Sequence, residues 1–134
     1  MKSSLPRIMA VYLPDTGASD LARRLDDPQT VLVACLCAAW CGTCREYQPK
    51  FEELSSQFPG HVFLWVDVEE HPDLLDDEDI EDFPTLLVQN GHQTLFYGPM
   101  LPHIGHLERL LESLQTDSPP PNLPGAPELR RSLI

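Results

Sequence analysis

The chain has 134 residues, 42% of them hydrophobic and 22% charged, which gives one domain with room for a core of its own. Its formal net charge of −12 and pI near 4.5 argue against nucleic acid or an anionic membrane as a partner. No apolar run approaches the ~20 residues of a membrane span, and the N-terminal MKSSLPRIMAVYLPD lacks the sustained apolar stretch of a secretory leader, so a cytoplasmic location is expected.

Residues 7–13 read as a first strand and 18–27 as a short helix with Leu21, Ala22 and Leu25 on one face, ended by Asp26-Asp27-Pro28. Residues 30–38 form a near-continuous apolar run, the pattern of a strand buried on both faces. Residues 42–58 predict the main helix, with Tyr47, Phe51, Leu54 and Phe58 at helical spacing and a kink expected at Pro49. Residues 61–68 predict a second central strand, and 71–80 a short acidic helix. Residues 85–89 and 93–97 predict a hairpin turning at Asn90-Gly91, and 103–114 an amphipathic last helix. The domain is drawn over 1–115. The remainder, 116–134, holds five prolines without periodicity and reads as a disordered or extended tail. Its PPPNLP segment reads as an inert linker before it reads as a ligand for a proline-binding module. The order β-α-β-α-β-α-β-β-α predicts an α/β fold with a mixed sheet and helices on both faces.

Trp40-Cys41-Gly42-Thr43-Cys44 lies where the buried strand hands over to the main helix. The free N–H groups and dipole of a helix N-terminus favour an anion such as a thiolate. The second cysteine falls one turn along, where it can close a disulfide or resolve a mixed one. A Cys-x-x-Cys in this βαβ-like context reads as a redox motif. Cys41 is the expected nucleophile and Cys44 the resolving thiol.

With Pro49 five residues after Cys44, Phe83-Pro84-Thr85 ahead of an apolar run, and Gly98 beyond it, the chain resembles the thioredoxin family over roughly residues 7–115. The resemblance implies a thioredoxin fold and a cis bond before Pro84. It also implies a substrate groove to which Trp40, Phe83 and Pro84 contribute. It implies thiol–disulfide exchange with protein disulfides, and electrons from a separate reductase or small thiols. No bound cofactor, metal, nucleic acid or membrane is expected, and the protein is expected to be a monomer serving redox homeostasis.

Three positions depart from the family. Its usual buried aspartate, six residues before the nucleophile, is Cys35 here; an aromatic two residues later is Cys37; a basic residue on the next central strand is Trp65. The usual buried acid–base pair is therefore missing, and slower resolution at Cys44 is expected. Thr43 replaces the proline common in reducing members and suggests a somewhat more oxidising potential, where ~30 mV corresponds to ~1.4 kcal/mol. The acidic surroundings push the other way, because negative charge near Cys41 disfavours its thiolate, and the sequence leaves both directions open.

Cys35 and Cys37 alternate with Leu36 and so face one side of their strand. Bonding to each other is disfavoured, because Cα atoms two apart on a strand lie at ~6.6–6.8 Å, the edge of disulfide reach. They read first as small buried hydrophobes. They also read as supplementary thiols, with Cys35 beneath the dithiol and able to exchange with Cys44. The spacing C-x-C-x3-C-x2-C matches no standard zinc or iron–sulfur pattern.

Residues 67–82 hold ten Asp or Glu and no Lys or Arg. They read as a solvated acidic face, or as a surface that steers a basic client. The histidines at 61, 71, 92, 103 and 106 have no catalytic spacing to the cysteines. The leading expectation is a protein-disulfide oxidoreductase. Its rival is a thioredoxin-fold client-binding module or assembly chaperone whose dithiol is incidental or regulatory.

Overall fold

The structure is a computed structural model that describes residues 11–14, 18–27, 29–38, 41–71, 73, 82–90 and 94–116. Its elements run β1 (Val11–Tyr12), α1 (Ala18–Leu25), β2 (Leu32–Cys37), α2 (Gly42–Ser55), β3 (Val62–Asp67), β4 (Thr85–Gln89), β5 (Thr94–Pro99) and α3 (Ile104–Thr116). The sheet has the order β1-β3-β2-β4-β5. β1 and β2 flank β3 in parallel, whereas β4 is antiparallel to both β2 and β5. This is the mixed α/β thioredoxin architecture expected from the sequence. The acidic stretch at 71–80, the hairpin turn and the proline-rich tail lie wholly or mostly outside the described residues.

β2 is central and buried along its whole length. Strand alternation splits it between two cores. Val33, Cys35 and Cys37 enter one core with Phe63 and Val88, under Cys44, Tyr47, Phe51 and Leu54 of α2 and Leu107 and Leu111 of α3. Leu32, Ala34 and Leu36 enter the other with Val62, Leu64, Val66 and Leu87, under Leu21 and Leu25 of α1. The two helix layers follow from periodicity: 44, 47, 51 and 54 lie on one stripe of α2, and 21 and 25 on one stripe of α1. Phe51 sits at the centre of the α2 side. Its ring lies 5.1 Å from Phe63, 5.7 Å edge-on from Trp65 and 6.3 Å from Tyr47.

Arg24 fastens α1 to the sheet. Its guanidinium donates to the carbonyls of Pro59 (3.1 Å) and His61 (3.3 Å) and lies over the Tyr12 ring, 5.9 Å from its centroid. Tyr12 donates in turn to Asp20.

Most element ends differ from expectation by one to three residues, and three differences have a bearing on the fold. α2 stops at Ser55 rather than 58. The hydroxyls of Ser55 and Ser56 donate to the carbonyls of Glu52 (2.5 Å) and Glu53 (2.7 Å), drawing the chain into turns, a known competition between short polar side chains and helix. α3 runs to Thr116, two residues past its expected end at 114 and one past the domain boundary drawn at 115. Gly98 does not follow the last strand but lies within it, paired with Leu86, and Pro99 pairs with Thr85. β5 is an edge strand, where a proline without an N–H is tolerated.

Candidate active site

The last residues of β2 and the first turn of α2 bring the cysteines together. Cys41 is itself the N-cap of α2, with extended backbone angles (φ −82°, ψ 118°). Its N–H donates to the Ala38 carbonyl (3.1 Å), and its own carbonyl accepts from the Arg45 N–H (3.2 Å). The Cys41 sulfur is a free thiol, and the residue is half-buried against the core beneath α2. At this position the unpaired N–H groups of the first turn favour negative charge. Cys44 lies one turn further on and only 1% exposed, on the inward stripe that continues through Tyr47, Phe51 and Leu54.

Cys44 is bonded to Cys37, not to Cys41. This corrects the expected pairing within the Cys-x-x-Cys motif. The reason is geometric. Cys37 is the last residue of β2 on the face that α2 covers, and Cys44 points down onto that face. Their Cα atoms lie 5.9 Å apart, near the most frequent separation for a disulfide. Cys37 is therefore more than the small hydrophobe that was its first reading.

Cys35 remains a free and fully buried thiol. Its sulfur stands 3.7 Å from that of Cys37 without a bond between them. Because Cys37 carries no proton in the disulfide, Cys35 is the donor of this S–H···S contact. Burial pushes the Cys35 thiol well above its ordinary value, so it holds its proton. A carboxylate at this position would be an acceptor; the thiol is a donor. Tyr47 covers the same region. Burial, and secondarily the Cys35 sulfur, pushes its phenol upward. Its buried hydroxyl has no hydrogen-bond partner among the described residues.

β3 borders the site in register, with Trp65 beside Cys35 and Asp67 beside Cys37. Asp67 is half-buried and accepts the Glu69 N–H (2.9 Å) at its own carboxylate, while the Cys37 carbonyl accepts the Val68 N–H (2.9 Å). Sequence reasoning grouped Asp67 with the acidic stretch and missed its place next to Cys37.

On the other side of β2, the Phe83–Pro84 peptide bond is cis. Pro84 is buried, and its carbonyl accepts the Met100 N–H (3.1 Å). The Thr85 hydroxyl donates to the Asp82 carbonyl (2.5 Å). Phe83 packs against the same core as Cys41 and Cys44. Trp40 lies outside the described residues. Among the described residues, no group of three or more His, Cys, Asp or Glu is arranged to hold a metal.

The thioredoxin family model matches residues 16–101, which spans β2, α2 and the cis-proline segment. The chain belongs to the thioredoxin family. It is 38% identical over 80 residues to a thioredoxin H-type of Picea mariana, a match covering 60% of this chain and 63% of that relative. It is 42% identical over 80 residues to a thioredoxin H-type of Oryza sativa subsp. indica, covering 60% and 65%. The chain thus spans somewhat under two thirds of the length of these curated relatives. The crystal structure of a thioredoxin from Trypanosoma brucei brucei superposes with a TM-score of 0.67 at 18% identity, over 87% of this chain and 100% of that one. At that identity the likeness carries the thioredoxin fold alone.

Proposed function

We propose that the protein is a thiol–disulfide oxidoreductase acting on protein disulfides, with Cys41 as nucleophile and Cys44 as resolving cysteine. The observation that carries this reading is the placement of Cys41. It is a free, half-buried thiol at the N-cap of α2, with a second cysteine one turn inside. In the reduced protein, with the Cys37–Cys44 disulfide opened, the Cys41 thiolate attacks a substrate disulfide, forming a mixed disulfide and expelling one substrate thiolate. Cys44 then attacks the Cys41 sulfur and releases the second. Trp40, Phe83 and Pro84 form the substrate groove in this proposal. Electrons return through a separate reductase or small thiols, and the protein works as a cytoplasmic monomer. Membership of the family and the cis Phe83–Pro84 bond support the reading. No helix among the described residues is long and apolar enough to cross a membrane.

A second reading, a client-binding module, is favoured by one observation: a proton-holding Cys35 occupies the place of the family's buried carboxylate. Reduction of a protein disulfide at the expense of dithiothreitol separates the two. Cys41→Ser and Cys44→Ser should each abolish turnover by an oxidoreductase. Unchanged disulfide reduction by both variants would remove the dithiol from the mechanism.

A further inference from the structure

Resting on the oxidoreductase reading above, we infer that Cys37 is a third catalytic cysteine, to which Cys44 passes the disulfide so that Cys41 is returned as a free thiol. Four observations converge on this relay. The Cys37–Cys44 bond is present, and Cys41 is free. Cys44 is 1% exposed and shares a buried cluster with Cys37, also 1% exposed, whereas Cys41 is only partly buried. The 5.9 Å between the Cα atoms of Cys37 and Cys44 suits a disulfide without moving strand or helix. Cys35 supplies a fixed proton donor 3.7 Å from the Cys37 sulfur, which favours that sulfur as an anion when it attacks.

The relay balances. Cys41 thiolate and the substrate disulfide give a Cys41–substrate mixed disulfide and one substrate thiolate. Cys44 attacks the Cys41 sulfur, forming Cys41–Cys44 and expelling the second substrate thiolate. The Cys37 thiolate then attacks the Cys44 sulfur, forming Cys37–Cys44 and breaking Cys41–Cys44, with Cys41 leaving as a thiolate. Two electrons pass from the Cys37 and Cys44 thiols to the substrate disulfide. The two protons those thiols lose are taken up by the two product thiolates. Reduction runs the path backwards. Cys41 attacks Cys44 and recovers the Cys41–Cys44 bond, which an external dithiol or small thiol opens at the more exposed Cys41 sulfur.

Two features set this apart from a two-cysteine cycle. The oxidising equivalent comes to rest in the core, out of reach of solvent thiols. The exposed cysteine of the oxidised protein is a thiol and not half of a disulfide.

The sequence makes this measurable, because chymotrypsin cuts after Leu36 and Trp40 and trypsin after Arg45, placing Cys37 on one peptide and Cys41 with Cys44 on another. The reduced full-length protein is mixed with one equivalent of oxidised glutathione, quenched in acid over time, alkylated, and digested without reduction. The relay predicts that the end product is the 37–40 peptide cross-linked to the 41–45 peptide through Cys44, with Cys41 alkylated. It should be preceded by a glutathione adduct on Cys41 or by an internally bridged 41–45 peptide. In Cys37→Ala the bridged 41–45 peptide should become the end product, and alkylation of Cys41 in the oxidised protein should be lost. If the wild type ends mainly as the bridged 41–45 peptide with Cys37 alkylated, the relay is wrong and the oxidoreductase reading stands. If glutathione forms neither an adduct at Cys41 nor any disulfide, the oxidoreductase reading fails as well.

Discussion

The two faces of β2 are equally dry and chemically unlike. Leu32, Ala34 and Leu36 on the α1 side and Val33, Cys35 and Cys37 on the α2 side are all fully or almost fully buried. The α1 side is closed by aliphatic side chains and by the buried Tyr12, whose hydroxyl meets Asp20 and Arg24 at its edge. The α2 side holds a disulfide, a protonated thiol and an unpartnered phenol hydroxyl within one hydrophobic cluster. Strand alternation alone thus confines the reactive groups to the α2 face, while both faces contribute to stability. The sulfur atoms cost the α2 face little, because a buried cysteine packs as a small hydrophobe.

The contrast can be broken by substitution. Phe51→Ala, at the aromatic centre of the α2 side, should have the largest effect, a loss of about 3–5 kcal/mol measured by denaturant unfolding. It should also disturb the sulfur cluster beneath α2. Leu36→Ala, between Cys35 and Cys37 but facing α1, should cost about 2–5 kcal/mol while leaving the alkylation rate of Cys41 in the folded protein unchanged. An altered Cys41 rate in that variant would mean that the two faces are not independent.

Tyr47→Phe removes a buried hydroxyl that has no partner among the described residues. An unsatisfied buried hydroxyl costs about 1–3 kcal/mol, so stability should stay level or rise by about 1 kcal/mol. A loss of stability would reveal a hydrogen bond there.

The smallest effect concerns His61, where β3 begins, which burial holds below the ordinary imidazole range. Its folded-state value is lowered, so its contribution is complete above the unfolded value of about 6.5 and is lost as pH falls through the folded value. The melting temperature should drop modestly below pH 6.5, and His61→Gln should flatten that slope.

Much of this was legible in the residues. The period of two in β2 put Cys35 and Cys37 on one face, and the run at 85–89 gave β4 to the residue. The N-cap position of Cys41 followed from an apolar strand meeting an amphipathic helix. The partner of Cys44 is Cys37 rather than Cys41, and the sequence carries a signal for it. Cys44 precedes Tyr47 by three positions and so extends the helix stripe that faces β2, whereas attention to the Cys-x-x-Cys spacing directed it toward Cys41. The distance that decides the bond, between a strand end and the first turn of the next helix, depends on packing rather than on spacing along the chain. The Asp67–Cys37 register was hidden for a similar reason, since parallel pairing joins residues thirty positions apart. The early end of α2 depended on two serine hydroxyls that a hydrophobic period does not record.

The most direct test of the central claim, that reactivity enters through Cys41 and is resolved inward through Cys44, is a trapping experiment. Cys44→Ser is mixed with a disulfide-containing protein substrate, and the covalent adduct is located by peptide mass. The account predicts a stable mixed disulfide on Cys41. An adduct on Cys37 or Cys35, or none at all, would contradict it.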